Sequence, residues 1–335
     1  MHRKRIWFDI TNTPHVNFLM PLIRYFEKDY ELLITARNFS ETALLLKKND
    51  IDPLIVSEYK GKSRINKGMG LISRILKLFY KVSKFDISIS LGGNYTAIVS
   101  RLRAKPSIII SDNDISYKTP AYKFGTYFIF PKYFSVDNLD TKYGVKPEQI
   151  FKFNGFKEDI YIADYSPDAD FMKQLPFEEF ITIRPENLKA SYLPKNSTTI
   201  VPLLFEKFRD ENILFLPRFN EEKIYAEAYN NIFIPDVPLN GLDVCYYTKA
   251  MLTGAGTFAR EAALLGTPAV TFFPGKEYLT VDKIMIEKGW EFKSRSPNEI
   301  YKYVKHSKKN PSMHEQSKKV QKEVLKIITD IISRH

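Results

Sequence analysis

A chain of 335 residues is longer than one ordinary core sustains and suits two domains of about 150 residues each. Its 44% hydrophobic content is that of a folded protein. No apolar run reaches the roughly 18 residues of a membrane span, and Met1-His2-Arg3-Lys4-Arg5 runs through Ile6-Trp7-Phe8 straight into Asp9, with no signal-peptide core. The formal net charge of +11 favours anionic partners without choosing among them, and the 25 Phe and 20 Tyr are too dispersed for an RNA-binding signature, so no nucleic acid is expected.

Arg5-Ile6-Trp7-Phe8-Asp9-Ile10 reads as a first buried strand. A loop, Thr11 to Asn17, precedes a helix expected from about Phe18 to Lys28. Leu32–Ala36 and Pro53–Val56 read as strands, with a helix from Glu41 to Lys48 between them. This alternation predicts a parallel sheet covered on both faces, whose ligands bind in loops after strand C-termini. His15 sits in the first such loop. Its pKa class suits proton transfer, and capping or packing the helix start is the plainer role. Asp9 at the strand end could orient His15 or bind substrate, and Asn12 and Asn17 are further polar candidates.

The next segment is the most basic. Lys60, Lys62, Arg64, Lys67, Arg74, Lys77, Lys81 and Lys84 occur with no acid between Glu58 and Asp86. As a helix it puts Ile72, Ile75, Leu76 and Phe79 on one stripe, with Arg74, Lys77 and Lys81 towards the other side. That is an ordinary packed helix with a solvated face, or a surface that also touches an anionic membrane. Asp86–Leu91 is another strand, ending in Gly92-Gly93-Asn94 before a helix from Tyr95 to Arg103. Ser107–Ile110 follows, ending in Ser111-Asp112-Asn113-Asp114. Gly92, Gly93, Asn94 and Asp112 therefore fall on the same edge as His15 and are acceptor or substrate candidates. Tyr127–Pro131 and Phe151–Phe156 read as the last strands of this half.

A second alternation begins after Tyr165-Ser166-Pro167. Phe180–Ile183 is a strand running into Arg184, and Ile213–Leu216 one running into Arg218. A helix from Thr199 to Phe208 lies between them, and Ile232–Pro235 is the next strand. Cys245, the single cysteine, excludes an internal disulfide and fits a reducing, cytoplasmic setting; its apolar neighbours make it a packed residue. Ala250-Met251-Leu252 then leads into Thr253-Gly254-Ala255-Gly256-Thr257, a helical pattern, Gly266, Pro268 and the apolar run Ala269–Phe273: strand, tight turn, helix, strand. The amides that open this helix favour an anion. Phe258, Ala262 and Leu265 are spaced to face the sheet, and Glu261 lies one turn in, suited to sugar hydroxyls. Two helices, about Pro297 to His306 and Met313 to Ser333, end the chain. The five histidines have no ligand spacing, so no metal site and no cofactor is expected.

Gly-x-Gly-Thr, then Arg-Glu-Ala-Ala, then Leu-Gly-Thr-Pro resembles the donor-nucleotide segment of GT-B glycosyltransferases and of the non-hydrolysing UDP-N-acetylglucosamine 2-epimerases. The whole chain is similar to an uncharacterised microbial family, domain of unknown function 354. The resemblance implies an α/β fold of two Rossmann-like domains facing across a cleft. Residues 1–160 would form the acceptor domain and 161–314 the nucleotide-sugar domain, with a terminal helix of about 315–335 returning to the first. It implies that Gly254, Ala255, Gly256 and Thr257 hold the diphosphate, that Glu261 holds the ribose, and that Arg184, with Arg218 on the next strand, faces the phosphates. Pro14-His15-Val16-Asn17-Phe18-Leu19-Met20-Pro21 is similar to the first loop of many GT-B transferases, where a histidine takes the acceptor's proton; proline here replaces the usual glycine. The expected activity is transfer of a sugar from a UDP-sugar or other nucleotide-sugar donor, and the expected acceptor is lipid-linked or soluble. Epimerisation of a nucleotide sugar and non-catalytic nucleotide-sugar binding are the alternatives. A cytoplasmic protein is expected, with peripheral contact to the inner membrane face if the basic segment meets lipid.

Overall fold

All strand pairings among the described residues are parallel. The structure, a computed structural model, describes residues 3–38, 42–58, 64–115, 120–137, 139–189, 193 and 196–335. The chain divides into two units, one of residues 1–161 with 319–335 and one of residues 162–318.

The first unit holds β1 (Arg5–Ile10), β2 (Glu31–Asn38), β3 (Leu54–Glu58), β4 (Ile87–Leu91), β5 (Ser107–Ile110), β6 (Tyr127–Pro131) and β7 (Ile150–Phe153). They lie in the order β3-β2-β1-β4-β5-β6-β7. The second unit holds β8 (Ile181–Arg184), β9 (Ile213–Phe215), β10 (Ile232–Phe233), β11 (Met251–Thr253), β12 (Ala269–Thr271) and β13 (Glu291–Lys293), in the order β10-β9-β8-β11-β12-β13. In each sheet the chain works outward from its first strand, then returns to that strand's other side. The order therefore reverses between β1 and β4 and between β8 and β11. Ligands of open parallel sheets bind outside the strand C-termini at such a reversal.

The central strands are buried along most of their length because both faces are covered. Ile6, Trp7, Phe8, Ile89, Ile108 and Phe128 are buried in the first sheet, and Ile181, Ile183, Leu214, Leu252 and Val270 in the second. Trp7 Nε1 donates to Thr35 Oγ1 at 2.9 Å, so its one polar atom is satisfied inside the core. The last helix, His314–Ser333, is tied into the first unit from Lys319 onward: the Asn154 amide donates to Glu323 at 2.9 Å and Gln321 donates to the Ile160 carbonyl at 3.0 Å.

Three local expectations are corrected. The first helix begins at Thr13, not Phe18, with Asn12 at the N-cap position and a proline in the first turn. Proline is well suited to a first turn, where its missing N–H is not needed. His15 is thus in a helix, not a loop. Second, where the sequence pattern offers no element between Phe273 and Pro297, the second unit has a helix at Thr280–Glu287 and the edge strand β13. Glu291-Phe292-Lys293 carries no apolar run, and its pairing with Ala269–Thr271 makes it a strand.

The third correction concerns the helix Arg64–Lys81. Arg74, read as facing outward with Lys77 and Lys81, is 0% exposed, while Ile72, Leu76 and Tyr80 are 60%, 52% and 78% exposed. Arg74 reaches β1, donating to Asp9 Oδ1 at 2.5 Å and to the Val56 carbonyl, and its guanidinium lies 4.9 Å from the Tyr95 ring centroid. Residues 74, 78 and 82 face inward and 72, 76 and 80 outward. A buried carboxylate needs a partner cation, and that requirement outweighs the hydropathy of two aliphatic side chains. Lys60 and Lys62 of the basic run, and Glu41 at the expected start of the second helix, lie outside the described residues, as do the side chains of Arg64 and Lys67.

Candidate functional site

In the second unit the reversal point is built by Arg184, the last residue of β8, and by the turn that follows β11. Thr253 is in register with Arg184, and the Gly254 amide donates to the Arg184 carbonyl at 3.1 Å. The Ala255 amide is taken by Thr253 Oγ1 at 2.9 Å. The helix Gly256–Leu264 then begins with Ala255 at its N-cap position, no side-chain cap and no acid in its first turn. Caps are ordinarily Ser, Thr, Asp or Asn. With alanine there, the first-turn amides and the positive end of the helix dipole are left to an external acceptor.

One cation, Arg184, lies against that helix start, and a second, Arg218, acts on the first. Arg184 lies with its guanidinium 5.1 Å from the Phe258 ring centroid and donates weakly to the Leu216 carbonyl at 3.4 Å. Arg218 is held by its Nε on the Pro185 carbonyl at 2.8 Å, and the Arg218 and Phe219 amides are bound by Glu222 Oε2 at 2.6 and 3.1 Å. Burial, and then the charge of Arg218, lower the Arg184 pKa to about 10; Glu222 and Glu261 oppose the shift. Arg184 is therefore charged near neutral pH, and it shares a desolvated region with a second cation. The charge of an anion bound there would offset both the lost hydration of Arg184 and its repulsion by Arg218. Glu261, 5% exposed, belongs to the same electrostatic neighbourhood: its charge acts on Arg184 and on Cys245. Cys245 is buried, its thiol pushed well above the ordinary value by burial, as befits a packing residue.

The glycines of the turn have distinct reasons. A Cβ on Gly254 would fall 2.4 Å from Glu186 Cγ and 2.6 Å from its Cα, so this glycine admits Glu186 rather than a ligand. Glu186 is fully buried and binds Arg295 Nη1 and Thr199 Oγ1, each at 2.8 Å, fastening the loop after β8. A Cβ on Gly256 would meet Arg260 Nη1 at 2.9 Å and Asp282 Oδ1 at 3.3 Å. Arg260 and Asp282 form a buried ion pair at the helix start. Phe258, expected against the sheet with Ala262 and Leu265, is only half-buried and lies under Arg184, whereas Ala262 and Leu265 are in the core.

In the first unit, the residues expected to line the C-terminal edge separate into two sets. His15, Asp112 and Lys157 come together: Lys157 Nζ lies 2.8 Å from Asp112 Oδ2 and 3.5 Å from Glu158 Oε1, and both Lys157 and Asp112 act on His15. The His15 ring contacts Thr11 Oγ1 at 3.3 Å and Asn12 Nδ2 at 3.5 Å. Burial first, and the Lys157 charge second, lower the His15 pKa to about 4, with Asp112 opposing. The imidazole is neutral at physiological pH.

The other candidates are committed elsewhere. Asp9 does not orient His15; its Oδ1 accepts from Arg74 and from Thr35 Oγ1, at 2.5 and 2.6 Å. Asn94 Oδ1 accepts from the Ala121 amide at 3.1 Å, holding the helix Pro120–Phe124. Asn17 is exposed on the first helix. Gly92 has φ +64°, the left-handed region that favours glycine, and a Cβ on Gly93 would collide with Ser90 Oγ and Thr96 Oγ1. Lys157, Glu158 and Glu186 were not singled out from sequence. Each acts through a partner that sequence spacing does not reveal.

A cavity of about 310 Å³ lined by Met172, Leu175, Pro176, Phe177 and Glu178 lies on the chain leading into β8, at the strand end away from Arg184.

Comparison with known proteins agrees with this architecture. The family described as Protein of unknown function (DUF354) matches residues 4–334. An uncharacterized protein of Methanocaldococcus jannaschii is 27% identical over 334 residues, spanning 89% of this chain and 90% of that protein. Among solved structures, the UDP-GlcNAc 2-epimerase of the same organism, in complex with UDP-GlcNAc and UDP, aligns with a TM-score of 0.71 at 18% identity, covering 97% of this chain and 99% of that one. The glycotransferase of kitacinnamycin aligns with a TM-score of 0.62 at 13% identity, covering 100% and 99%. At such identities the likeness is one of fold: two parallel-sheet α/β domains of the GT-B-like kind.

Proposed function

The chain belongs to the DUF354 family, and we propose that it is a glycosyltransferase-like enzyme that takes a sugar from a nucleotide-sugar donor, a UDP sugar, and transfers it to a lipid-linked or lipid-proximal acceptor. The observation that carries the donor half is the uncapped start of the helix Gly256–Leu264 beside two arginines, Arg184 and Arg218, at the reversal of strand order. A diphosphate matches that arrangement in charge and geometry. Glu261, one turn further in, accepts hydrogen bonds from ribose hydroxyls. Gly256 and Thr257 offer main-chain amides to the diphosphate, the Ala255 amide being taken by Thr253 Oγ1. The choice of uridine is supported by the UDP and UDP-GlcNAc bound to a structural neighbour.

On the first unit, neutral His15 takes the proton of the acceptor hydroxyl. The acceptor oxygen bonds to the anomeric carbon, the bond from that carbon to the diphosphate breaks, and the nucleoside diphosphate leaves with the electron pair. A neutral imidazole has a free lone pair for that proton, and a pKa of about 4 makes it a weak base.

A second reading, epimerisation of the nucleotide sugar at C2, is favoured by one specific observation. The sequence offered only His15 as an evident ring-facing group, whereas the fold brings the charges of Asp112 and Lys157 to bear on it, with Glu158 in turn on Lys157. Elimination and re-addition need such acids and bases. Incubation with each UDP sugar in deuterium oxide separates the readings. Epimerisation places solvent deuterium at C2 without any acceptor, whereas transfer releases UDP only with an acceptor and leaves C2 unlabelled. A thermal-shift screen of UDP, GDP, CMP and dTDP sugars tests the donor class, since stabilisation follows mass action.

A further inference from the structure

We propose that the outer face of the helix Arg64–Lys81, with the lysine that follows it, docks the protein on an anionic lipid bilayer. Ile72, Leu76 and Tyr80 recur every fourth residue and form one exposed ridge, about 12 Å from first to last at the helical rise. Lys77, Lys81 and Lys84 are exposed beside it. The ridge is not left over from core packing, because the core already has its own line, Arg74, Leu78 and Val82, on the opposite side. No acid falls between Glu58 and Asp86 to neutralise the lysines. Asp86 itself is engaged by Lys105 at 3.4 Å and by the Arg5 amide at 2.9 Å.

Charge selects the occupant. A second copy of the chain meeting this face across a two-fold would set lysines against lysines, which is unfavourable. A nucleic acid would use the lysines and leave the aliphatic ridge in water. A bilayer of acidic lipids uses both. Ile72 and Leu76 enter the boundary between headgroups and acyl chains, Tyr80 sits at headgroup level with its hydroxyl in water, and the lysines meet phosphates. Such a helix lies in the surface, and no helix among the described residues is long and apolar enough to cross a membrane. The inference does not depend on the sugar chemistry, although a membrane-bound first unit would bring its C-terminal edge to lipid-linked acceptors.

The experiment is co-sedimentation of the full chain with vesicles of phosphatidylcholine alone or mixed with phosphatidylglycerol, at low and high salt. Variants are Lys77→Glu/Lys81→Glu/Lys84→Glu, Ile72→Ser/Leu76→Ser and Tyr80→Trp, each checked for folding by circular dichroism. Wild type should bind the anionic vesicles only, and less as salt rises. The lysine variant should lose about a hundredfold or more in partitioning, the serine variant at least tenfold, and the tryptophan emission should shift to the blue on vesicle addition. Equal partitioning of wild type and lysine variant, or equal binding to neutral vesicles, overturns the proposal. So does a dimer dissolved by Ile72→Ser/Leu76→Ser with no vesicle binding by wild type; that result assigns the face to a second copy. Lysine-dependent binding to single-stranded RNA without binding to anionic vesicles assigns it to nucleic acid.

Discussion

Arg184 and Gly254 are joined across the reversal of strand order in the second sheet by a hydrogen bond of 3.1 Å from the glycine amide to the arginine carbonyl. The bond fixes the cation-bearing end of β8 against the turn that opens the helix Gly256–Leu264. Glu186, two residues beyond Arg184, fills the space that a side chain on Gly254 would need. The donor-side proposal depends on this junction being rigid.

Replacing Gly254 by alanine should therefore destabilise the second unit by about 1–3 kcal/mol, as overpacking does, because Glu186 is anchored by Arg295 and Thr199 and cannot simply swing away. Urea unfolding measures the loss. A Gly254→Ala protein as stable as wild type would show that the contact relaxes freely.

Glu261→Ala should weaken nucleotide-sugar binding by about 1–3 kcal/mol through lost hydrogen bonds to ribose. Gly256→Val should cost more, since its side chain would press on the Arg260–Asp282 pair and narrow the approach to the helix amides. Arg184→Met should also weaken binding of UDP itself, with a smaller salt dependence than wild type. Calorimetry with UDP and a UDP sugar checks all three; unchanged affinity in folded variants would remove the donor-site assignment.

His15→Ala should keep donor binding and lose turnover by about a hundredfold or more. Full activity in that variant would move the base to Asp112, and binding without turnover in wild type would favour a non-catalytic role. The pH dependence has a definite sign. The folded protein holds His15 neutral down to about pH 4, while the unfolded chain titrates it near 6.5. The acidic limb of kcat/KM should fall near pH 4. The stability that His15 contributes is complete above pH 6.5 and is lost as pH falls from there towards 4. Lys157→Met removes a cation and leaves Asp112 beside the ring, so the limb should rise towards 6.5. Nuclear magnetic resonance titration of the His15 ring reads the same shift directly.

The Asp9–Arg74 pair should behave as a structural element of the first unit. Asp9→Ala alone should cost about 3–5 kcal/mol, because it leaves Arg74 buried and uncompensated, while Asp9→Ala/Arg74→Met should recover a large part of that loss. A variant of Asp9 that is fully stable but inactive would restore a catalytic role to this carboxylate.

Much of the fold was legible in the sequence because it is local. Short apolar runs such as Ile6–Phe8 and Ile108–Ile110, alternating with amphipathic stretches, point to parallel strands with covered faces. The stop at Gly266, whose φ of +81° lies in the left-handed region that favours glycine, is likewise a local feature. Only the tertiary structure decided what depends on distant partners. It turned the helix Arg64–Lys81 so that Arg74 meets Asp9, 65 residues earlier, and so put Ile72 and Leu76 in the open. It made a strand of Glu291-Phe292-Lys293 by pairing it with β12. It bound Glu186 to Arg295 across 109 residues, and it buried His15 and brought Lys157, paired with Asp112, near enough for both burial and that charge to lower the histidine's pKa. The physical reason is common to all of these. Hydropathy and helix periodicity act over a few residues, whereas the cost of burying a charge is settled by whichever opposite charge the fold brings beside it.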